Sequence, residues 1–161
     1  MYLAMIIDLP SGHKIQIDDC DLPLFNSYDW YAQRAKENIF YLARKEKTTG
    51  KVFLFHREVL VPNSSEVIDH RNHDTLDNRR VNIRCCSRQE NQRNRKKFRN
   101  STSQYKGVHW EKSRKLWKAS ITINRKCIKL GRFKNEIDAA RVFDFVSTQF
   151  YGDFAITNNL L

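Results

Sequence analysis

The sequence lacks any cysteine spacing suited to structural work. The 161 residues hold four, Cys20, Cys85, Cys86 and Cys127. None forms a C-x-x-C pair, and the adjacent Cys85-Cys86 suits neither a zinc knuckle nor an ordinary disulfide framework. Reduced thiols in a cytosol-like compartment are the expectation. Long apolar runs are missing too. The opening stretch Met1 to Leu9 is short, contains Asp8 and has no basic leader, so it reads as neither a secretory signal nor a membrane span. The first part of the chain also lacks excess positive charge: Met1 to Glu66 carries 8 Lys+Arg against 9 Asp+Glu, and the remainder 21 against 9. The net charge of +11 therefore belongs to Val67 onward. Charge so lopsided suits a polyanion, and neutralising several phosphates makes binding strongly salt-dependent. Hydrophobic residues at 40% and aromatics at 12% support a modest core, in one ordinary domain or two small ones.

The stretch from Val67 to Asn94 organises what is present. Asp69-His70 ends a short β-branched apolar run, a polar loop follows, and Asn82 precedes a second short apolar run. Ser87-Arg88-Gln89-Glu90 has capping-box spacing, which predicts a helix after Ser87 with Asn91 in its first turns. Strand, loop, strand and helix can fold back to gather Asp69, His70 and Asn91. A carboxylate and a carboxamide oxygen are hard ligands suited to Mg²⁺ or Mn²⁺. A neutral His70 beside the metal can take a proton from water, a contribution of roughly 10²–10⁴-fold. Taken singly, an Asp-His pair in a polar loop is more often a solvated turn than a catalytic centre, and Ser-x-x-Glu occurs wherever helices start; the order and spacing together carry the reading.

Asp69-His70, Leu76-Asp77-Asn78-Arg79, Asn82-Ile83-Arg84, Ser87 and Glu90-Asn91 resemble the HNH endonucleases of the ββα-metal fold, especially the phage and mobile-intron homing type. The resemblance implies His70 as general base, Asp69 and Asn91 as ligands of one Mg²⁺ or Mn²⁺ per active site, and Asn82 as the middle Asn that pins the loop holding His70. Position 91 is Asn where the family name promises a second His, a variant within the family whose neutral amide binds metal more weakly. His73 is expected as a loop residue within reach of phosphate.

Ahead of this motif, Tyr2–Leu9 and Lys14–Asp18 read as a hairpin around Pro10-Ser11-Gly12, which Asp19-Cys20-Asp21 ends. Trp30–Ala35, Ile39–Lys45 and Lys51–Phe55 read as further strands. Trp30, Tyr31, Phe40, Tyr41, Phe53 and Phe55 are expected in the core. His56-Arg57 reads either as a DNA contact or as a satisfied histidine at an element boundary, and the second is the expectation. The leader resembles the strand-rich segment of phage HNH proteins through Tyr28-Asp29-Trp30, Tyr41-Leu42-Ala43-Arg44 and His56-Arg57.

Past Asn91, the basic run Arg93, Arg95, Lys96, Lys97 and Arg99 predicts a helix tail entering a flexible linker over 95–103 that lies along a DNA backbone. From Gln104, Tyr105–Trp110, Leu116–Ile123 and Lys126–Phe133 read as three strands with a tight turn at Asn124-Arg125. A helix capped by Asn135 should follow, with Ile137, Ala140, Phe143 or Asp144, Ser147 and Phe150 on one face. Tyr105-x-Gly107-Val108, Trp117-x-Ala119-x-Ile121, Leu130-Gly131-x-Phe133, Glu136-x-x-Ala139-Ala140, Phe143-Asp144, Gly152 and Asn158 resemble the Apetala-type (ethylene-response-factor) DNA-binding domain. That resemblance implies a sheet laid in the major groove and braced by the helix. Strand alternation places Trp117, Ala119, Ile121 and Ile123, with Ile128 and Leu130, inward. His109, Lys118, Ser120, Thr122, Cys127 and Lys129 then face outward as the base-reading surface. Arg114, Lys115, Arg125, Lys126 and Arg132 are expected on phosphates.

The expected class is α+β: a strand-rich region and ββα-metal unit over 1–94, then a three-stranded antiparallel sheet packed on one C-terminal helix over 104–161. The expected activity is site-selective cutting of double-stranded DNA, one nick per active site, by a monomer in the cytoplasm of a bacterial or phage-infected cell. No membrane and no obligate protein partner are implied. The rival is a DNA-binding regulator carrying a relic nuclease unit.

Overall fold

The computed structural model describes residues 2–95, 97 and 100–160. The chain divides into two compact units, Met1–Arg88 and Gln89–Leu161, and its elements follow the α+β order expected. Among the described residues no helix is long and apolar enough to cross a membrane.

The first unit starts with a hairpin of β1 (Ala4–Asp8) and β2 (Lys14–Asp18). Its turn uses Gly12 at φ +80°, a backbone conformation that costs glycine little. Alternation along β2 buries Ile15 and Ile17 completely. Where the sequence reads as a simple break, Asp19–Asp21 form a 3₁₀ turn and α1 (Leu22–Asn26) follows, with proline in its first turn. β3 (Tyr31–Lys36), β4 (Ile39–Lys45) and β5 (Val52–Leu54) make an antiparallel sheet in that order. The expected strand through Phe55 stops at Leu54, and Phe55 instead opens α2 (Phe55–Leu60). Helix wins because Phe55 is wholly buried in the cluster of Leu9, Ile15, Ile17, Trp30 and Leu42, and tertiary burial overrides β propensity. Among the aromatics expected in the core, Tyr31 is 38% exposed.

β6 (Glu66–His70) and β7 (Ile83–Ser87) pair antiparallel, with Asp69 opposite Arg84 and His70 opposite Ile83. α3 (Arg88–Arg93) starts where the capping box places it.

In the second unit β8 (Val108–Glu111), β9 (Leu116–Ile123) and β10 (Lys126–Phe133) form one antiparallel sheet with β9 central. Asn124 and Arg125 both have positive φ, the geometry of a two-residue hairpin turn matched to strand twist. α4 (Glu136–Tyr151) is capped by Asn135, whose side chain accepts from Ile137 N at 2.8 Å. Small residues let helix and sheet approach: Ala119, Ala139 and Ala140 are fully buried. At Gly107 a Cβ would lie 1.9 Å from the Phe143 ring, so no side chain fits there.

Two expectations are corrected in this unit. The buried face of α4 is Ala139, Ala140, Phe143, Ser147 and Tyr151, whereas Ile137 is 39% and Phe150 58% exposed. Ile128 shares a face with the buried Ile121 opposite it but is 42% exposed on the edge strand β10, where Leu130 and Phe133 are the residues that pack against the core. Ser101, Thr102 and Ser103 are tied into the second unit by bonds to Val108 O, Trp110 N and Glu136.

Candidate active site

His70 ends β6 and is buried. Its Nε2 lies 3.3 Å from Asn78 Oδ1, and Asn78 Nδ2 donates to Leu76 O at 3.2 Å. With the amide nitrogen committed to Leu76, the oxygen must face the imidazole. Nε2 is then the N–H donor and Nδ1 the unprotonated nitrogen of the neutral ring. Burial pushes the His70 pKa below its ordinary value, although the Asn78 bond and the carboxylates of Asp69, Asp77 and Asp74 push the other way. The ring is therefore neutral near pH 7.

The loop between β6 and β7 is held by polar bonds. Asn82 bridges it: Oδ1 accepts from Asn72 N at 3.0 Å and Nδ2 donates to Asp77 O at 2.7 Å. Asp77 is wholly buried, takes two bonds of 2.7 Å from Arg79 and one of 2.8 Å from Asn72 Nδ2. Burial raises the Asp77 carboxyl, but the Arg79 bonds outweigh it and hold the group below the usual carboxylate range. The N-terminal hairpin clamps the other side. Gln16 N donates to Leu76 O at 3.0 Å, and Asn78 N to Gln16 O at 2.7 Å. Asp18 accepts from Arg80 N at 2.7 Å, and Asp21 pairs with the Arg80 guanidinium at 2.6 and 3.1 Å. Sequence reasoning missed Asn78 as the partner of His70, and Asp18 and Asp21 as partners of Arg80. Asp-x-x-Asp at the end of a strand was the available signal for the last pair.

Asp69 accepts two bonds at one oxygen, Oδ2, from Arg84 Nε at 2.9 Å and Nη2 at 2.7 Å. Both side chains are buried. Among the described residues no group of three or more His, Cys, Asp or Glu could hold a metal. The carboxylate next to His70 is thus already neutralised by a guanidinium. The donors present in the first unit do not by themselves fit a divalent ion. Asn91 lies on α3 in the second unit. His73, at φ +65°, donates its N–H to His70 O at 3.0 Å.

His56 departs from the expected satisfied histidine. It is 5% exposed in the first turn of α2, and among the described residues its Nδ1 has no hydrogen-bond partner. Its ring lies 5.1 Å from that of His70, edge to face, and 5.5 Å from Tyr41. Burial, then the neighbouring His70 and Arg57, lower its pKa from 6.5 to about 3.

In the second unit, register aligns the outward residues in rows: His109, Lys118 and Arg132; then Ser120 and Lys129; then Thr122 and Cys127. Arg132 is paired with Glu111, which Arg114 also approaches at 3.8 Å. Lys115 and Arg125 sit in turns at positive φ, and Lys126 is exposed at the start of β10. Lys97 Nζ donates to Ser103 O at 3.1 Å, and Arg95 is exposed. Lys96 and Arg99 lie outside the described residues.

Residues 60–93 match a family model described as HNH endonuclease. The matched segment holds Asp69, His70, Asn78, Asn82, Arg84 and Asn91 together and supports a nuclease, a class that generally works with a divalent metal. The "Uncharacterized HNH endonuclease L560" of Acanthamoeba polyphaga mimivirus is 25% identical over 138 residues, 86% of this chain and 71% of the relative. No solved structure matches the chain significantly.

Proposed function

We propose that the chain is a site-selective DNA endonuclease of the homing type that hydrolyses a phosphodiester with a His70-activated water. The observation that carries this is the buried, neutral His70 whose Nε2 is set against Asn78 Oδ1, so that Nδ1 is the basic nitrogen. A positioned, unprotonated imidazole contributes about 10²–10⁴-fold as a general base. Asn82 acts by fixing the loop that carries His70 and Asn78, and Asp69 and Asn91 are the proposed metal ligands. A divalent ion, Mg²⁺ or Mn²⁺, would stabilise charge on the phosphate and leaving oxygen. One active site per chain gives a nick with 5′-phosphate and 3′-hydroxyl ends.

The sheet of the second unit is the proposed anchor on duplex DNA, in the manner of an Apetala-type domain. What supports this is the three-stranded sheet backed by α4 and the outward rows of Lys118, Ser120, Thr122 and Lys129 with His109. The outward set is Lys, Ser, Thr and Cys where the plant-type domain reads its site largely through Arg and Trp, so the docking mode carries over without the target sequence. Arg114, Lys115, Arg125, Lys126 and Arg132, with Arg95, Lys96 and Lys97, are the proposed phosphate contacts. Such contacts set position and salt dependence and do not read sequence.

The test is conversion of supercoiled plasmid to nicked circles with Mg²⁺ or Mn²⁺, against EDTA and against His70→Ala. Nicking that needs both metal and His70 supports the enzyme. Equal duplex binding by both proteins with no nicking by either supports a DNA-binding regulator.

A further inference from the structure

The proposed metal ligand Asp69 is already occupied by a cation of the chain itself. Arg84 sits directly opposite Asp69 in the β6–β7 register, and its Nε and Nη2 both bond Asp69 Oδ2, at 2.9 and 2.7 Å. The side chains are 9% and 6% exposed, so solvent screens the pair little. We propose that Arg84 is a resident counter-cation that withholds Asp69 from divalent metal until a DNA phosphate enters the site. This rests on the reading of Asp69 as a metal ligand.

Charge accounting supports it. Asp69 is matched by Arg84, and Asp77 by Arg79 at 2.7 Å. Asp74 is exposed on the loop, with Oδ1 accepting from Leu76 N at 3.0 Å. Asn78 and Asn82 carry no charge. Hard divalent ions are held by anionic oxygens and give up water reluctantly. A carboxylate that shares its charge with a buried guanidinium offers such an ion almost no net attraction. A phosphodiester changes the balance on both sides, because it brings anionic oxygens for the metal and is itself a natural partner for the guanidinium fork. Metal uptake then depends on DNA, and the DNA-free chain holds its carboxylate in place without metal. The fold alone does not account for the pair, since buried ion pairs contribute little net stability compared with apolar groups of similar volume.

The experiment is a titration of Mn²⁺ alone, with no nucleic acid, into the full chain, read as loss of the free-ion EPR signal. Wild type, Arg84→Gln, Arg84→Lys and the double variant Asp69→Asn/Arg84→Gln are compared, with folding checked by circular dichroism. Arg84→Gln keeps a hydrogen-bond donor and removes the charge. The expected result is weak Mn²⁺ binding by wild type and Arg84→Lys, affinity about 10-fold or more tighter in Arg84→Gln, and loss of that gain in the double variant. Equal affinity in wild type and Arg84→Gln overturns the inference and leaves the metal reading standing. A gain that survives Asp69→Asn overturns the assignment of Asp69 as ligand, and the inference with it. Should Arg84→Gln fail to fold, the wild-type titration decides: micromolar Mn²⁺ binding without DNA overturns the inference, and millimolar binding supports it.

Discussion

The loop between β6 and β7 and the sheet of the second unit are held by different forces. On the sheet, Ala119, Ala139, Ala140 and Phe143 meet in apolar contact. On the loop, Asn72, Asp77, Arg79 and Asn82 bond one another, and Asp18 and Asp21 reach in from residues far earlier in the chain. Apolar packing is non-directional and tolerates adjustment, whereas each buried polar bond demands its partner at a set angle. The loop therefore fixes the orientation of His70, and the sheet offers a stable outward surface whose side chains are open to change.

The comparison can be broken most severely at Gly107. Gly107→Ala adds a carbon inside the Phe143 ring at φ +78°, and overpacking plus left-handed strain should cost about 3 kcal/mol or more. Thermal melting should show the loss in the second unit, with the first unit melting as before. Asn82→Ala removes both the Oδ1 and Nδ2 bonds of the loop. It should cost about 2 kcal/mol by leaving buried groups unpaired, and it should lower nicking while duplex affinity stays the same.

A smaller effect of opposite sign is expected at His56. His56→Phe removes the unpartnered Nδ1 and should raise stability by about 1 kcal/mol, read as the denaturant midpoint. The sign of the pH dependence follows from the pKa, lowered from 6.5 to about 3 in the folded chain. The unfolded chain binds the proton first, so this contribution is complete above pH 6.5 and is lost as pH falls toward 3. His56→Phe should flatten that slope. The smallest change is expected from Glu111→Gln, which frees Arg132 from its partner. Duplex affinity should tighten about two- to threefold, and the salt slope should steepen by up to about one, as measured by fluorescence anisotropy over a salt series.

How much was legible in the sequence follows the same division. Period-two alternation exposed β9 correctly, because its inward residues are apolar and its outward ones polar. The Asn135 cap and the start of α3 were legible because capping is local. The face of α4 was misjudged because alanine gives a weak hydrophobic signal, and Ile137 and Phe150 drew the stripe around the helix. Ile128 lies on the face that alternation gives it, opposite Ile121, yet is exposed, because alternation gives the face of a residue and not how far the core extends beneath an edge strand. In the candidate site, Asp69, His70 and Asn82 stood out through motif spacing. Asn78 against His70, and Arg80 against Asp18 and Asp21, were not legible as pairs, because the residues meet only through tertiary folding. The orphaned His56 Nδ1 was invisible for the same reason: a sequence shows a histidine and not its missing partner.

The central claim is a division of labour, with chemistry in the first unit and DNA attachment in the second. The most direct measurement is single-turnover nicking at saturating protein by His70→Ala and by Lys118→Ala/Lys129→Ala. Saturation should bring the lysine variant to within about threefold of wild type, while His70→Ala should stay at least about 100-fold slow. A lysine variant that remains slow when fully bound, or a His70→Ala protein that cuts once saturated, would contradict it.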